Sequence, residues 1–354
     1  MQPVLFADDP QFWCETQRAL GHTAYGGADT GEVLVTAQRI VAGDHDSWHD
    51  EWLAIADRIA DEAEAALAAG HPVTGRDGML RASNYYRCAG FFLHADPADP
   101  RIKNIYERSV ACFRRAATLF TPPVEPAVIP FEGGTLHGYL YSGGTGNRPA
   151  IIMHNGFDGS AEELHFFGAA AAAERGYHVL TFDGPGQPAA RHRDGLVFRP
   201  DWENVVSPVM DWLLARPGVD PAKVSLLGVS MGGILAARAA AFEHRLAACI
   251  AVDGLYDLGE ADAAAGTMMT ASYLDYTLAG GIAEIISCPT LICEAEEDVR
   301  FKGQPEAVYN HLTSPKALLR FTSDEAAGAY CHSGALRLAF GRIYDWLDDT
   351  LRGQ

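Results

Sequence analysis

Apolar and polar residues alternate differently on the two sides of the proline-rich segment TPPVEP. Before it, apolar residues recur three or four positions apart, which is the spacing of one face of an α-helix. The pattern is clearest over residues 46–70, where Gly70 marks the expected end of the helix. Two more helices are predicted over residues 79–95 and 101–120, with the helix-breaking sequence DPADP between them. We therefore predict an all-helical domain over residues 1–122.

Beyond that segment, short apolar runs typical of strands alternate with helical patterns. The first two runs, AVIPFEG and TLHGYLYSGG, predict an antiparallel hairpin. The later runs are PAIIMHNG, YHVLTFDGPG, KVSLLGVS, ACIAVDG, PTLICEAEED and KALLRFTS. Helical patterns separate or follow these runs, near residues 160–175, 202–215, from 232, after ACIAVDG, near 305–313 and at 335–351. Such alternation indicates a doubly wound, mostly parallel sheet covered on both faces, so we predict an α/β fold for residues 123–354.

Composition and charge narrow the class of protein. An apolar content of 48% with 21% charged residues is typical of a folded globular chain. The formal net charge of −19 disfavours nucleic acid and anionic membranes as partners. Seven scattered cysteines fit free thiols in a reducing compartment. The sequence has neither the pattern of a signal peptide nor an apolar run of about 20 residues, so we expect a cytoplasmic protein.

The stretch Gly228-Val229-Ser230-Met231-Gly232 places a serine between a predicted strand and a predicted helix. In this G-x-S-x-G context the turn is sharp, the serine backbone is strained and the hydroxyl is exposed at the strand end. Glycines are needed because side chains at 228 and 232 would clash across the turn. We predict Ser230 as a nucleophile; the alternative is a small residue that merely begins a helix.

A serine nucleophile needs a base that takes its proton. In proteins with this elbow, the base follows the serine and the acid along the chain. Three histidines follow Ser230. His244 comes too soon and His311 lies within a predicted helix, whereas His332 follows the last strand and its loop. We therefore predict His332 as the base.

The base in turn needs a carboxylate that orients its ring. We expect this acid just after the strand TLICEAE, where Asp298 is best placed. Glu296 and Glu297 are close alternatives, and Asp253, which follows ACIAV, is a more distant one.

Acyl chemistry also needs two donors for the oxyanion. The Met231 N–H supplies one by its place at the helix start, and we predict the Phe157 N–H in the loop HNGFDGSAEEL as the second. Gly156 would keep that backbone close. Asp158 in the same loop is a candidate substrate-binding carboxylate; alternatively, Asp158 or Ser160 caps the next helix.

In order along the chain, HNGFDG, FDGPGQ, GVSMGG, EEDVRF and CHSGA resemble the α/β-hydrolase superfamily, over roughly residues 127–354. With its helical N-terminal domain, the chain more narrowly resembles the group of 2,6-dihydroxypseudooxynicotine hydrolase and the fungal polyketide-shortening hydrolases. This resemblance implies the triad Ser230, Asp298 and His332, and a helical cap domain. It also implies an acidic group near the substrate at Asp158, where the related nicotine-pathway enzyme is expected to carry the longer glutamate. Many relatives are dimers, so a homodimer is a candidate assembly.

These observations predict a serine hydrolase that needs no cofactor and no metal. Its partner is a small-molecule carbonyl substrate, aromatic or polyketide-like, in which it cuts a C–C bond beside a ketone, an ester or a thioester. A second hypothesis uses the same site for a lyase or acyl-transfer reaction of natural-product biosynthesis, such as acetate elimination. A third is a ligand receptor without turnover. Tyr85 and Tyr86 are candidate substrate-lining residues of the cap, although aromatic residues at helical spacing otherwise belong to a core.

Overall fold

Helices form the N-terminal part of the chain, as the spacing of its apolar residues predicts. The structure is a computed structural model that describes residues 3–259, 275–299 and 301–353. These residues fall into two compact units, of which the first extends to Glu125 and also includes His165–Phe167. The second comprises Pro126–Leu164 and the chain from Gly168 onward.

The first unit contains five α-helices within the described residues. They are α1 (Pro10–Gly21), α2 (Thr30–Ala37), α3 (His45–Ala68), α4 (Pro72–Gly90) and α5 (Arg101–Ala117). The helix predicted over 46–70 is α3, and α4 begins earlier than predicted because Pro72 suits a first helical turn. Helices α1 and α2 were not predicted; each begins after an aspartate whose side chain accepts a backbone N–H.

Close packing of α3 on α4 explains the first unit's central glycines. A Cβ added to Gly78 would lie 2.7 Å from the Ala63 Cβ, so the two helices approach too closely for any side chain there. The apolar stripe of α3, including Trp48, Trp52 and Ile59, is buried. Burial of this stripe is what holds the long helix in place.

The described residues of the second unit form an eight-stranded sheet. Its strands are β1 (Glu125–Phe131), β2 (Gly134–Tyr141), β3 (Arg148–His154), β4 (His178–Asp183), β5 (Val219–Val229), β6 (Ala248–Val252), β7 (Thr290–Ala295) and β8 (Lys316–Phe321). Their spatial order is β1-β2-β4-β3-β5-β6-β7-β8. Strand β2 is antiparallel to β4, and the pairs from β4 through β8 are parallel. The predicted hairpin is β1 and β2, joined through Glu132 and Gly133, which both have positive φ as a tight hairpin turn requires.

Helices of the second unit alternate with these strands. Within the described residues they are α6 (Ala169–Glu174), α7 (Pro188–Asp194), α8 (Glu203–Leu214), α9 (Met231–Phe242), α10 (Gln304–His311) and α11 (Leu336–Arg352). The helix predicted over 160–175 is instead a short 3-10 helix, Glu163–His165, followed by α6. Gly168 separates the two at φ 108°, a conformation that glycine adopts readily. The helical region predicted after β6 falls largely on residues 260–274, outside the described residues.

The parallel arrangement brings the carboxyl ends of the central strands to one edge of the sheet. Strand β6 is buried along its whole length, and most of β3 and β5 is buried as well. His154 at the end of β3 pairs in register with Gly228 of β5, and Val229 pairs with Val252 of β6. The loops that follow β3, β5 and β6 therefore meet, which is where α/β sheets place their sites. Among the helices that the structure describes, none has the length and apolar character needed to cross a bilayer.

Candidate active site

Ser230 stands on a sharp turn between β5 and α9. Its backbone lies at φ 62° and ψ −131°, outside the regions that non-glycine residues normally occupy. The Ser230 N–H donates to the Val252 carbonyl at 2.9 Å, so the sheet ladder continues to the serine, and α9 begins at the next residue. The sequence prediction of a strained serine at a strand end agrees with this geometry.

The flanking glycines are required by contacts on two sides. A Cβ at Gly228 would lie 1.9 Å from the Gly232 carbonyl oxygen, which is the clash across the turn that the motif predicts. A Cβ at Gly232 would lie 2.7 Å from the Asn155 carbonyl oxygen. The second glycine therefore also lets the loop after β3 approach α9.

The loop after β3 packs closely against Ser230 at Gly156. A Cβ added to Gly156 would lie 2.9 Å from the Met231 nitrogen and 3.0 Å from the Ser230 Oγ. The Met231 amide is at the start of α9, where backbone N–H groups have no acceptor within the helix. Gly156 thus brings the loop after β3 beside a backbone donor and the serine hydroxyl, which are the groups that an oxyanion site needs close together.

Phe157 follows Gly156 in this loop. Its ring is 36% exposed and stacks on Phe198 with centroids 5.6 Å apart. The stacking fixes the residue whose N–H is the predicted second oxyanion donor. Asp158 follows it and is half-buried. Of the two residues considered as helix caps, Ser160 accepts the Glu163 N–H at 3.3 Å.

Two residues that the sequence analysis did not identify form hydrogen bonds here: Gln187 with the loop after β3, and Trp202 with His154 at the end of β3. The fully buried Gln187 side-chain amide donates to the carbonyls of Asn155 and Gly156, the latter at 3.2 Å. Its Oε1 accepts the Gly184 N–H at 2.7 Å. The sequence signal was a glutamine in FDGPGQ, where a buried amide can link two loops.

His154, the last residue of β3, is held beside the same loop. The Trp202 indole N–H donates to His154 Nε2 at 3.3 Å, and Nδ1 lies 3.3 Å from the Asn155 carbonyl oxygen. Because Nε2 accepts, the proton of the neutral ring belongs on Nδ1. Burial lowers the pKa of His154 to about 4, so the ring is neutral near pH 7.

The predicted base, His332, is buried beside a carboxylate. Its Nε2 lies 3.5 Å from Asp253 Oδ1, and its Nδ1 lies 3.1 Å from the Ala327 carbonyl oxygen. Desolvation lowers the pKa of His332 to about 4. Desolvation also raises the pKa of Asp253 well above its ordinary value. The Cys331 N–H, which donates to this carboxylate, lowers that pKa but has the smaller effect. Both shifts favour an uncharged pair.

The acid beside His332 therefore differs from the predicted one. Asp298 lies beyond β7, where its Oδ1 accepts the Phe301 N–H at 3.2 Å, and its charge contributes to the raised pKa of Asp253. Within the part of the chain that the structure describes, the carboxylate within 4.0 Å of the His332 ring is that of Asp253. The difference has a local cause, because Cys331 and His332 both have positive φ and turn the ring toward the end of β6.

The two close alternatives to Asp298 also have other partners. Glu296 accepts the Ser323 N–H at 2.7 Å, and Glu297 accepts the Ser323 hydroxyl at 2.7 Å. Both carboxylates thus hold the loop that follows β8. The more distant alternative of the sequence analysis, Asp253, is the one that the fold brings to the histidine.

Tyr330 is the unexpected member of the site. Its hydroxyl lies 2.7 Å from the Ser230 Oγ, so the serine pairs with a tyrosine while the histidine pairs with an aspartate. The structure thus contains two separate pairs rather than one continuous relay. No local sequence pattern indicated Tyr330, although it stands only two residues before the predicted base.

Tyr85 and Tyr86 belong to the core of the helical unit. Their side chains are 0% and 2% exposed, and their hydroxyls donate to Glu32 and Asp57 at 2.7 Å each. Desolvation by burial raises the pKa of both phenols, assisted by these carboxylates. Rings and hydroxyls thus take part in the packing of this unit, which is the alternative role given in the sequence analysis; that these residues line a substrate pocket stays a prediction.

Within residues 3–259, 275–299 and 301–353, no group of three or more His, Cys, Asp or Glu side chains is arranged to hold a metal ion.

Comparisons with known proteins agree with the fold of the second unit. A family model described as the alpha/beta hydrolase fold matches residues 149–283. Hydrolase LUC6 from a Fusarium species is 33% identical, with 95% of each chain aligned. The 20-hydroxy-prefusarin hydrolase FUS2 of Gibberella moniliformis is 32% identical, over 98% of this chain and 97% of that protein. The crystal structure of 2,6-dihydroxy-pseudo-oxynicotine hydrolase has a TM-score of 0.77 and 24% identity, covering 94% of this chain and 95% of that one.

Proposed function

This chain belongs to the α/β-hydrolase family, as its motifs predict, and on that premise we propose that it is a serine hydrolase whose nucleophile is Ser230. The observation that carries the proposal is the close approach of Gly156 to the Ser230 Oγ and the Met231 nitrogen, which leaves no room for a side chain beside the serine hydroxyl. A carbonyl carbon bonded to Oγ would place its oxygen toward that donor. The strained backbone at φ 62° supports the same role, because such strain is retained mainly where function requires it.

The proposed substrate is a small carbonyl compound of aromatic or polyketide-like character, cut at a C–C bond beside a ketone or at an ester or thioester. The support for a natural-product substrate is the similarity to FUS2, whose name gives 20-hydroxy-prefusarin as its substrate. Asp158, half-buried in the oxyanion loop, is the proposed contact for a polar group of that molecule.

The proposed reaction has two stages. His332 takes the Ser230 proton as Oγ bonds to the carbonyl carbon, and the N–H groups of Met231 and Phe157 hold the oxyanion. Collapse expels the leaving group and leaves an acyl-serine, which water then releases. Burial lowers the pKa of His332 to about 4, so the ring starts the reaction uncharged at neutral pH, which is the form that a base requires.

Covalent labelling tests the nucleophile. Wild type and Ser230→Ala are treated with a fluorophosphonate, examined by intact-protein mass spectrometry and assayed on aryl esters, thioesters and β-diketones. We expect an adduct on wild type alone, and a fall of at least about 10³-fold in kcat/KM for the variant. Near-full turnover by folded Ser230→Ala would overturn the assignment. An unlabelled wild type that forms a product with a new double bond would favour the elimination reaction instead.

The same assay distinguishes the two candidate acids, using the matched pair Asp253→Asn and Asp298→Asn. If Asp253 orients His332, as their 3.5 Å separation suggests, Asp253→Asn loses about 10⁴-fold in kcat while Asp298→Asn loses far less. The reverse order would restore Asp298 to the triad and show that the histidine turn rearranges during turnover. Circular dichroism of both variants checks that they are folded.

A further inference from the structure

The hydroxyl that touches the nucleophile belongs to Tyr330, and we propose that Tyr330 is the proton donor to the leaving atom when Ser230 is acylated. The inference rests on the proposed serine-hydrolase function. Its main observation is the 2.7 Å separation of the Tyr330 and Ser230 hydroxyl oxygens. Among the described residues, Tyr330 is the side chain hydrogen-bonded to the Ser230 Oγ.

Position makes the phenol suitable for this step. In the tetrahedral adduct, the Ser230 Oγ and the leaving atom are bonded to the same carbon, so a donor within hydrogen-bond reach of one is a near neighbour of the other. The Tyr330 ring packs against Phe301, with centroids 5.6 Å apart, and this contact limits where the hydroxyl can point.

The backbone holds Tyr330 in place from the other side. The next residue, Cys331, has φ 51° and donates its N–H to the buried carboxylate of Asp253. The His332 N–H closes the same turn by donating to the Ala329 carbonyl at 2.7 Å. A turn anchored to the end of β6 thus positions the phenol over the end of β5.

His332 is less well placed for the leaving atom. Its two ring nitrogens lie beside the Ala327 carbonyl and the Asp253 carboxyl group, and its side chain is 1% exposed. Burial raises the pKa of Tyr330 well above its ordinary value, so the phenol keeps its proton at neutral pH. A neutral phenol at the serine is an acid that becomes useful only when a more basic group forms beside it.

Every proton that moves in the acylation step can be accounted for. The Oγ–C bond forms as the Ser230 proton moves to the Tyr330 hydroxyl and the phenol proton moves on to His332. The bond from that carbon to the leaving atom then breaks, its electron pair goes to the leaving atom, and the Tyr330 O–H proton follows. The His332 imidazolium returns a proton to the Tyr330 phenolate. The net change is an acyl group on Ser230 and a protonated leaving group: an alcohol, a thiol or, after C–C cleavage, the ketone formed when the enolate carbon is protonated.

The test compares leaving groups in wild type, Tyr330→Phe and the control Tyr344→Phe. Tyr344 is a buried tyrosine of the same unit whose hydroxyl donates to the Gly168 carbonyl at 3.0 Å. Acylation rates are measured for 4-nitrophenyl, phenyl and alkyl esters of one acid, and fluorophosphonate labelling is followed in parallel. We expect Tyr330→Phe to lose about 100-fold in kcat/KM on the alkyl ester and little on the 4-nitrophenyl ester, because a good leaving group departs without a proton.

Each result decides one question. A steep leaving-group dependence confined to Tyr330→Phe supports the proposal, and normal labelling of that variant shows that Ser230 and the fold are intact. An equal loss on all three esters, or no loss, overturns the role of Tyr330 while leaving the serine hydrolase in place. An unlabelled, inactive wild type overturns the proposed function itself.

Discussion

At the scale of single residues, the site depends on the absence of a side chain at Gly156. The α-hydrogens of this glycine face the Ser230 Oγ and the Met231 amide, where a methyl group would lie 3.0 Å and 2.9 Å from those atoms. Carbon atoms in real structures rarely approach so closely, so a side chain would have to displace the loop or the nucleophile. The same close approach brings the loop beside the Met231 amide, which is why we interpret this part of the loop as one side of the oxyanion site.

Replacing Gly156 by alanine is therefore expected to remove activity without unfolding the protein. We expect kcat/KM to fall by about 10²- to 10³-fold, the loss that follows removal of an oxyanion donor. The matched control is Gly341→Ala, because a Cβ at that helical position meets nothing within 4 Å. Steady-state kinetics and thermal melts of both variants check the prediction. Unchanged kinetics in Gly156→Ala would place the oxyanion elsewhere.

At the scale of elements, the loop after β3 is positioned by the loop after β4. Gln187 precedes α7 and joins the two loops through three hydrogen bonds to backbone atoms of Gly184, Asn155 and Gly156. Since the side chain is fully buried, water cannot replace these bonds when it is truncated. Gln187 is thus a positioning residue that acts through the oxyanion loop.

For Gln187→Ala we expect kcat to fall about 10- to 100-fold while KM changes little, because the loop serves the transition state more than the substrate. A boronic acid or trifluoromethyl ketone should lose affinity in parallel with kcat. Gln304→Ala is the matched control: that side chain also accepts backbone N–H groups, those of Tyr256 and Asp257 at 3.0 and 2.8 Å. If both variants lose only thermal stability, the effect of Gln187 is structural.

At the scale of the whole molecule, the sequence predicts strands and helices better than it predicts which side chains pair in the site. The parallel strands and the elbow follow from local patterns, since the run before Ser230 and the glycines around it are contiguous. The pairs Ser230–Tyr330 and His332–Asp253 join residues that are far apart along the chain. Their choice depends on backbone conformation in one turn, where Cys331 and His332 both have positive φ, and no periodicity encodes that. Buried supports such as Gln187 are missed for the same reason.

The buried histidines make the stability of the whole molecule depend on pH. Desolvation lowers the pKa of His154 and His332 to about 4 and that of His165 to about 3, whereas an unfolded chain has histidines near 6.5. The unfolded state therefore binds more protons below pH 6.5, and the stabilising contribution of these neutral rings is lost as the pH falls toward 4. The buried carboxyls Asp183 and Asp253 act in the opposite sense, because their pKa values are raised in the folded state.

The effect of a single histidine can be measured at His154, which binds a proton in the unfolded chain but is neutral in the folded one. Protonation would set its Nε2–H against the Trp202 indole N–H, two donors facing each other at 3.3 Å. Urea unfolding of wild type, His154→Gln and the exposed control His244→Gln is measured at intervals from pH 7 to pH 4.5. Below pH 6, we expect the free energy of unfolding of His154→Gln to depend on pH less steeply than that of wild type, by about 1.4 kcal/mol per pH unit. His244→Gln should parallel wild type. Parallel curves for His154→Gln as well would mean that this ring takes up its proton without loss of the fold.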